Sequence, residues 1–276
     1  MKPVFHFFPN KSHFCCLNMA ELKDQDGQKL SVVIMTFNEA ANIDRCIAAL
    51  SDLADDLLVV DSFSTDDTVA IAQSLGARIL HHPFKSFTDQ RRFCIENAHY
   101  DLVLALDADE WLSDEIVMEI RQIKENRRLD CYLLNRLNSI GGQWLYHGGW
   151  HPDWKLRLFD RRKVVCAGTP PHDSIDPTSG TSVGKLRGKL FHESDQNIES
   201  RIHTVDRYST TAARHLYESG KKTNLIRLLL KPFFRFLSEY VFQLGFLDGF
   251  YGFVVAKTSA QYVFLREAKL WELQRK

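Results

Sequence analysis

The sequence predicts an α/β fold with a mostly parallel central sheet, followed by a helical C-terminal region. Short apolar runs alternate with helical patterns between residues 29 and 125. Strands that alternate with helices at this spacing form βαβ units, in which neighbouring strands are parallel. From Gln196 onward the pattern is helical throughout. The chain is 45% hydrophobic and 25% charged over 276 residues, which excludes disordered and collagen-like classes.

Four strands and four helices are predicted in the first half of the chain. The first two strands are continuous apolar runs, as expected for strands that are buried on both faces of a sheet. The predicted strands are residues 30–37, 57–61, 77–81 and 101–107. The predicted helices are residues 40–50, 69–75, 88–98 and 114–125.

The second half has a less regular pattern. Residues 138–195 are rich in Gly, Pro, Trp and His, and the strand-like pieces are residues 131–137, 155–159 and 185–191. We therefore divide the chain into three parts. They are a loosely ordered N-terminal extension (1–28), an α/β domain (29–195) whose character changes after residue 125, and a helical C-terminal region (196–276).

Charge and motif content exclude several classes of partner and cofactor. The 35 basic and 35 acidic residues balance, so no overall positive field favours nucleic acid, and no nucleic-acid partner is predicted. Neither a Gly-x-Gly-x-x-Gly motif nor a Walker loop follows the first strand, which disfavours dinucleotide dehydrogenases and P-loop enzymes. The six cysteines show no zinc or disulfide spacing, which fits a reducing cytoplasm.

Polar residues stand at the ends of three predicted strands, where ligands of an open parallel sheet bind. They are Thr36, Asn38 and Glu39 after the first strand, Asp61 after the second, and Asp107 and Asp109 after the fourth. An acidic pocket binds a polyphosphate through a divalent cation such as Mg²⁺ or Mn²⁺. An Asp-x-Asp triplet alone is a weak signal, because most aspartates are exposed, and Asp61 could merely cap a turn. Three neighbouring strand ends together favour a binding site.

Three runs in the first half of the chain resemble the family 2 glycosyltransferases, which have the GT-A fold. They are SVVIMTFNEAANIDRCI, LLVVDSFSTDDTVAIA and LVLALDADEW. The resemblance implies that Thr36, Asn38 and Glu39 contact the base of a nucleotide-sugar donor. It implies that Asp61 holds uracil or ribose. The chain departs from the family at Phe63, where a small residue, often Gly, is usual.

The same resemblance assigns the remaining donor-side residues. It implies that Asp107 and Asp109 bind ribose and a divalent metal. It implies that Arg91, in DQRRF, reaches the nucleotide or its phosphates. Arg157 and His192 are further candidates for contacts with the diphosphate.

The second half resembles a subgroup of glucosyltransferases of the lipopolysaccharide or lipooligosaccharide inner core. The blocks that carry this resemblance include HGGWHPDWKLRLFDRR, TPPHDSI, GKLRGKLFH and LGFLDGFYGFVVA. The subgroup implies inverting transfer from UDP-glucose to a heptose of a lipid-linked oligosaccharide, in a β linkage. Residues 29–125 would then bind the nucleotide sugar, and residues 126–195 would face the acceptor. The alternatives are transfer to a polyprenyl phosphate or another cell-surface glycan, a sugar nucleotidyltransferase, and a non-catalytic membrane-binding module.

Inverting transfer needs a carboxylate that takes the proton of the acceptor hydroxyl. Asp153 and Asp173 are the two candidates, and Asp153 is favoured because Trp150, His151 and Trp154 surround it in sequence. Such a setting is suited to stacking sugars and is expected to raise the pKa of a carboxyl group. His172 precedes Asp173 and is a candidate metal ligand.

The C-terminal region combines basic and aromatic residues. Five basic and no acidic residues lie between Lys221 and Ser238, interleaved with Leu, Ile and Phe. Such a segment suits the plane of a membrane interface better than a span across it. Together with the lipid-linked acceptor that the resemblance implies, this segment predicts a peripheral protein on the cytoplasmic face of a bacterial inner membrane. The alternatives are helices packed on the domain and a dimer contact, and the oligomeric state stays open.

Overall fold

The structure, a computed structural model, describes residues 28–50, 52–169 and 172–275. The predicted N-terminal extension therefore lies, except for Gln28, outside the described residues. The strands are β1 (Leu30–Thr36), β2 (Asp56–Asp61), β3 (Arg78–His81), β4 (Leu102–Asp107), β5 (Glu110–Leu112), β6 (Cys131–Ile140), β7 (Gln143–Trp144), β8 (Asp153–Asp160), β9 (Val164–Thr169), β10 (His172–Pro177) and β11 (Val183–Asp195). The helices are α1 (Ile43–Ala48), α2 (Thr68–Ser74), α3 (Phe87–Glu96), α4 (Asp114–Glu125), α5 (Ile198–Glu218), α6 (Leu225–Leu237) and α7 (Gly249–Leu273).

The central sheet is mixed. Its strand order is β3-β2-β1-β4-β8-β6-β11-β5, and β7 pairs with β6 at the side. The pairs among β3, β2, β1 and β4 are parallel, and so is the pair β11–β6, whereas β8 runs antiparallel to both β4 and β6. The parallel half is the part that was predicted. The other half of the sheet differs from the predicted, mostly parallel arrangement. A parallel neighbour needs a long crossover connection, and the connection from β6 to β8 has no α-helix.

Both faces of the parallel half are covered, as its continuous apolar strands require. Side chains of α1, α2 and α4 pack on one face, through residues such as Ile47, Ala72 and Ile120. The other face is covered by α3 and the β9–β10 hairpin, through residues such as Cys94 and Ile175. The carboxyl ends of β1, β2 and β4 are therefore held at one edge of a rigid core.

The C-terminal helices form a separate layer in which α7 packs against both α5 and α6. A π-helical turn (Ser238–Phe242) and a 3₁₀ turn (Gly245–Asp248) connect α6 to α7. In α7 the apolar residues Val255, Val263 and Leu270 are buried, whereas α6 has no buried residue. No helix in the described part of the chain has the length and apolarity that crossing a bilayer requires.

Gly252 of α7 allows the closest approach in this layer. A Cβ atom at this position would lie 1.9 Å from the carbonyl oxygen of Gly245. We expect Gly252→Ala to lower the free energy of unfolding by about 1–3 kcal/mol, because the two backbones must separate. Chemical denaturation measures the change, and Lys257→Ala on the exposed side of α7 should change it by less than about 0.5 kcal/mol. Equal stabilities for the two variants would contradict this packing.

Candidate functional site

The carboxyl ends of β1, β2 and β4 meet at one edge of the sheet. Thr36 lies in register with Asp61, and Met35 lies in register with Asp107. The hydroxyl of Thr36 is buried and has no hydrogen-bond partner among the described residues. A buried, unpaired polar atom is costly unless something else satisfies it. The strand end therefore offers a polar atom to a ligand.

Asp61 caps the turn that follows β2. Its side chain is fully buried and accepts a hydrogen bond from the backbone N–H of Ser64 (2.9 Å), while His81 Nδ1 lies 3.2 Å away. Phe63, in the same turn, has a left-handed φ of +64°, which favours glycine. This backbone conformation accounts for the small residue that is usual at this position. The ring of Phe63 is exposed and stacks on His81, with centroids 5.5 Å apart.

Asn38 and Glu39 connect the first loop to the second. The Asn38 side-chain oxygen accepts from the backbone N–H of Thr65 (2.8 Å), and the Glu39 backbone N–H donates to the hydroxyl of Thr68 (2.8 Å). Burial raises the pKa of the Glu39 carboxyl, and a hydrogen bond from Asn42 opposes the shift. The predicted base contacts of Asn38 and Glu39 stay predictions, and both residues also hold the loops of the site together.

Asp107 is surrounded by arginines. Its Oδ2 lies 2.6 Å from Nη2 of Arg157, and its Oδ1 lies 3.2 Å from Nη2 of Arg91. Burial would raise the pKa of Asp107, but Arg157 and Arg91 hold it far below its usual range. Both carboxylate oxygens are therefore committed to guanidinium groups. The strand-end pocket is charge-matched and not simply acidic, because α3 and β8 bring in cations that are distant in sequence.

The ion-pair network continues from Asp107 to Asp153. Arg157 also contacts the buried Glu110 (2.6 Å), which in turn lies 3.2 Å from Arg136. Arg136 binds Asp153 through Nε (2.9 Å) and Nη2 (2.8 Å). A candidate base and the Asp-x-Asp element are thus brought together by β4, β5, β6 and β8.

The prediction of a raised pKa for the Asp153 carboxyl is wrong in direction. Burial raises the pKa of this carboxyl, but Arg136 and Lys155 lower it by more, so its pKa lies below the usual value. The rings beside it also differ from the expectation. Lys185 covers one face of Trp154, at 4.4 Å from the centroid, and Arg201 covers one face of Trp150 at 4.6 Å. Cations and not apolar surroundings decide the charge state of Asp153.

Asp173, the second candidate base, lies on the other side of Asp107. Its Oδ2 is 3.5 Å from Nε of Arg91, so Arg91 bridges Asp173 and Asp107. The backbone of His172 pairs with Thr169 in the β9–β10 hairpin. The His172 side chain lies outside the described part of the structure, so its role as a metal ligand stays a prediction.

Asp109 lies beside His192, which is 83 residues further along the chain. The antiparallel register of β5 and β11 places His192 opposite Glu110, and His192 Nε2 then lies 3.2 Å from Asp109 Oδ2. Asn138 contacts the second ring nitrogen of His192, Nδ1, at 2.8 Å. The Asn138 side-chain oxygen only accepts, so the Nδ1–H of His192 donates to it, and in a neutral ring this leaves the Nε2 lone pair facing the Asp109 carboxylate. A metal ion can satisfy two such electron-pair donors.

Asn138 joins the two halves of the site. Its side-chain nitrogen donates to the backbone carbonyl of Trp150 (3.2 Å) and lies 3.5 Å from Asp153 Oδ2. Its side-chain oxygen contacts His192, as described above, and Ser194 Oγ at 3.0 Å. Sequence reasoning missed Asn138, because its only signal was an amide at the end of an apolar strand.

Comparison with known proteins identifies the family. A model described as "Glycosyl transferase family 2" matches residues 31–187, more than half of the chain. An uncharacterized glycosyltransferase of Rickettsia prowazekii (strain Madrid E) is 33% identical over 262 residues, which cover 90% of this chain and 89% of that protein. The chain belongs to glycosyltransferase family 2. The alternatives of a sugar nucleotidyltransferase and a non-catalytic module are thereby set aside, and the predicted GT-A fold is confirmed.

Two further comparisons concern this glycosyltransferase. The lipopolysaccharide core biosynthesis glycosyltransferase LpsC of Rhizobium meliloti (strain 1021) is 30% identical to it over 261 residues, covering 88% of this chain and 92% of LpsC. The crystal structure of S. aureus TarS 1–349 in complex with UDP matches with a TM-score of 0.47 at 14% identity, covering 90% of this chain and 92% of TarS 1–349.

Proposed function

We propose that this glycosyltransferase moves glucose from UDP-glucose, with inversion, onto a heptose of a lipopolysaccharide or lipooligosaccharide inner core. The observation that carries the proposal is the facing pair of Asp109 and His192, together with the buried hydroxyl of Thr36 at the end of β1, which has no partner among the described residues. The acceptor class is supported by the similarity to LpsC along nearly the whole length of both chains. Polyprenyl phosphate and other cell-surface glycans are the competing acceptors.

Asp109 and His192 would hold a divalent metal ion. No group of three or more His, Cys, Asp or Glu side chains that could hold a metal occurs in the described ranges. Protein sites for a metal–diphosphate complex use one or two protein ligands, because the phosphates supply further oxygens. An imidazole ligand favours Mn²⁺ over Mg²⁺. In this proposal His192 is a ligand beside Asp109, and Asp107, which was predicted as a ligand, contributes through its arginines. The predicted ligand role of His172 stays a prediction.

The metal, when bound, neutralises the diphosphate and makes it a better leaving group. The residues of the chain supply the other contacts with the donor. Thr36 and Asp61 are proposed to face the uracil and ribose, and Arg91 is proposed to approach the phosphates from the Asp107 side. In an ion-paired pocket, a phosphate oxygen can replace a carboxylate as the partner of a guanidinium group without leaving a buried charge unpaired.

Asp153 is proposed to act as the base, with Asp173 as the second candidate. The acceptor oxygen forms a bond to the anomeric carbon while the bond from that carbon to the diphosphate breaks on the opposite face. The hydroxyl proton passes to the carboxylate. Arg136 and Lys155 keep Asp153 ionised, which is the state a base needs. The same cations reduce its proton affinity, so the acceptor must loosen the contact with Lys155 (3.1 Å) as it binds.

The acceptor is proposed to be lipid-linked, and the protein is proposed to lie on the cytoplasmic face of a bacterial inner membrane. The free cysteines Cys46, Cys94, Cys131 and Cys166 fit a reducing compartment. A lipid-linked substrate is confined to the membrane surface, so a peripheral enzyme meets it there.

Product analysis with a panel of donors and acceptors tests the proposed function. UDP-glucose, UDP-galactose and UDP-N-acetylglucosamine are each incubated with Mn²⁺ and either a heptose-containing core oligosaccharide or a polyprenyl phosphate. We expect a β-glucosyl heptose from UDP-glucose. Transfer to polyprenyl phosphate alone would contradict the proposed acceptor.

Asn138→Ala tests the metal site from outside its ligands. Asn138 orients His192, and loss of such a partner typically weakens metal binding by about 10–100-fold. We expect this loss for Mn²⁺ in the presence of UDP, measured by titration calorimetry. Asn135→Ala, in the same strand and equally buried, is the matched control, and it should leave Mn²⁺ affinity unchanged. Equal Mn²⁺ affinities of the Asn138→Ala variant and the wild type would remove His192 from the site.

A further inference from the structure

The C-terminal layer presents a large apolar face to solvent. It is formed by α6 and by the residues that follow α6, and we define it by the exposed side chains of Ile226, Leu229, Phe233, Phe242, Leu247 and Phe250. The ring of Phe242 is 74% exposed and the side chain of Ile226 is 67% exposed. Single exposed apolar residues are normal on a protein surface, but a contiguous patch of this kind marks an interaction site. Contacts of Phe253 with Phe236 and Tyr240 join the two parts of this face.

Charge indicates what covers the apolar face. Arg227, Lys231 and Arg235 recur every four residues and therefore lie along one flank of α6. Lys231 and Arg235 are about half exposed and also pair with the buried carboxylates of Glu267 (2.8 Å) and Glu239 (2.6 Å), so part of this charge is neutralised within the protein. No acidic residue occurs between Lys221 and Ser238. Apolar side chains with a basic flank suit the boundary between the acyl chains and headgroups of an anionic bilayer. A helix of 13 residues is only about 20 Å long, so it fits in the plane of the interface.

The segment behind the apolar face holds a loop of the acceptor side. Asp248 accepts hydrogen bonds from the backbone N–H of His147 (2.8 Å) and lies 2.8 Å from its Nδ1. The backbone N–H of Gly148 donates to the carbonyl of Gln243 (2.8 Å). A Cβ atom at Gly149 would lie 2.3 Å from the carboxylate of Glu239. Gly149 is thus needed for the close packing of this loop against the segment 238–252, whereas Gly148 has a left-handed φ of +74°, which favours glycine.

The same loop reaches the candidate base. The carbonyl of Trp150 accepts from Asn138, and Asn138 contacts both His192 and Asp153. One hydrogen-bonded path therefore leads from the segment behind the apolar face to the proposed base. Its steps are Asp248, the loop His147–Trp150, and Asn138.

We propose that the apolar face docks on an anionic lipid bilayer, and that docking holds the His147–Trp150 loop, and with it Asp153, in the arrangement that sugar transfer requires. This inference rests on the proposed function, because Asp153 matters only if the chain transfers a sugar. The bilayer binds only the arrangement in which α6 and the following turns share one face, so it favours that arrangement. Activity toward a water-soluble acceptor therefore rises on anionic vesicles.

Vesicle sedimentation tests the docking. The wild type is expected to sediment with phosphatidylglycerol-containing vesicles and much less with phosphatidylcholine alone. Ile226→Ser combined with Phe233→Ser should weaken vesicle binding about 100-fold, because two apolar side chains that the bilayer would bury are lost. Met118→Ser, an equally exposed apolar residue on α4, should bind as the wild type does. Failure of the wild type to sediment, or a wild-type dimer in solution that the double variant converts to a monomer, would overturn the docking.

Asp248→Ala tests the coupling. This variant is expected to bind vesicles and UDP as the wild type does, while its transfer to a soluble heptose-containing acceptor on vesicles falls about 10–100-fold. Asp248→Asn keeps an oxygen for the His147 N–H and should recover part of the loss. Wild-type transfer by Asp248→Ala, at equal thermal stability, would overturn the coupling. Absence of UDP binding and of transfer in the wild type would instead overturn the proposed function.

Discussion

Replacing Arg157 with methionine is expected to lower the free energy of unfolding by about 3–5 kcal/mol. Arg157 is buried and its Nη2 lies 2.6 Å from both Asp107 and Glu110. Removing it takes one cation from the buried carboxylate of Glu110 and the partly buried carboxylate of Asp107, which is far more costly than the loss of an exposed pair. Chemical denaturation at pH 7 measures the change. Arg121→Met, which removes an exposed pair with Asp52, is the control and should cost less than about 1 kcal/mol.

The cost of Arg157→Met should depend on pH in a defined direction. The folded-state pKa of Asp107 is lowered, so its ion pairs stabilise the protein fully above the unfolded pKa of about 3.9. This contribution is lost as the pH falls through the lower, folded pKa. The difference between wild type and variant should therefore be constant near neutrality and shrink below about pH 4. A difference that grew on acidification would contradict the ion-pair account.

Asp153→Asn is expected to reduce kcat for transfer by about 10²–10⁴-fold. The amide has nearly the same size and can still accept from Arg136, but it cannot take the acceptor proton. UDP affinity should be unchanged, because Asp153 is proposed to face the acceptor and contacts Arg136, which is not among the residues proposed to bind UDP. Steady-state transfer kinetics and UDP titration measure the two quantities separately.

Asp173→Asn is the matched variant for the assignment of the base. It removes the other candidate carboxylate, which also contacts an arginine. If Asp153 is the base, transfer by Asp173→Asn falls much less than transfer by Asp153→Asn. The reverse order would assign the proton transfer to Asp173.

The parallel half of the fold could be predicted because its signals are local. The strands β1, β2 and β4 are largely apolar runs, and the polar residues at their ends follow directly in sequence. Helix ends were less accurate. The helix predicted for residues 40–50 is only Ile43–Ala48, because Asn38 adopts a left-handed φ of +54° and the chain then turns before α1 begins.

The charge state of the site could not be predicted, because it depends on contacts between distant residues. Arg157 is 50 residues from Asp107, and His192 is 83 residues from Asp109. Only the strand order and the β5–β11 register bring them together. A carboxylate among aromatic residues was expected to have a raised pKa, but Arg136 and Lys155 reverse the shift for Asp153.

The two sequence blocks HGGW and LGFLDG illustrate the same limit. Each contains glycines whose structural role cannot be predicted from that block alone. In the structure they pack on each other across 101 residues, with His147 bound to Asp248. Gly149 and Gly245 allow this close approach, whereas Gly249 has a left-handed φ of +61° and open space around it.

The most direct test of the account is the metal dependence of UDP binding in the wild type and in Asp109→Asn. Titration calorimetry with UDP, in Mn²⁺ and then in EDTA, gives the affinities. The account predicts that the wild type binds UDP tightly only with Mn²⁺, and that Asp109→Asn binds weakly in both conditions while melting at the wild-type temperature. Equal UDP affinity with Mn²⁺ and with EDTA, or Mn²⁺-dependent binding by Asp109→Asn as tight as that of the wild type, would contradict the site described for this glycosyltransferase.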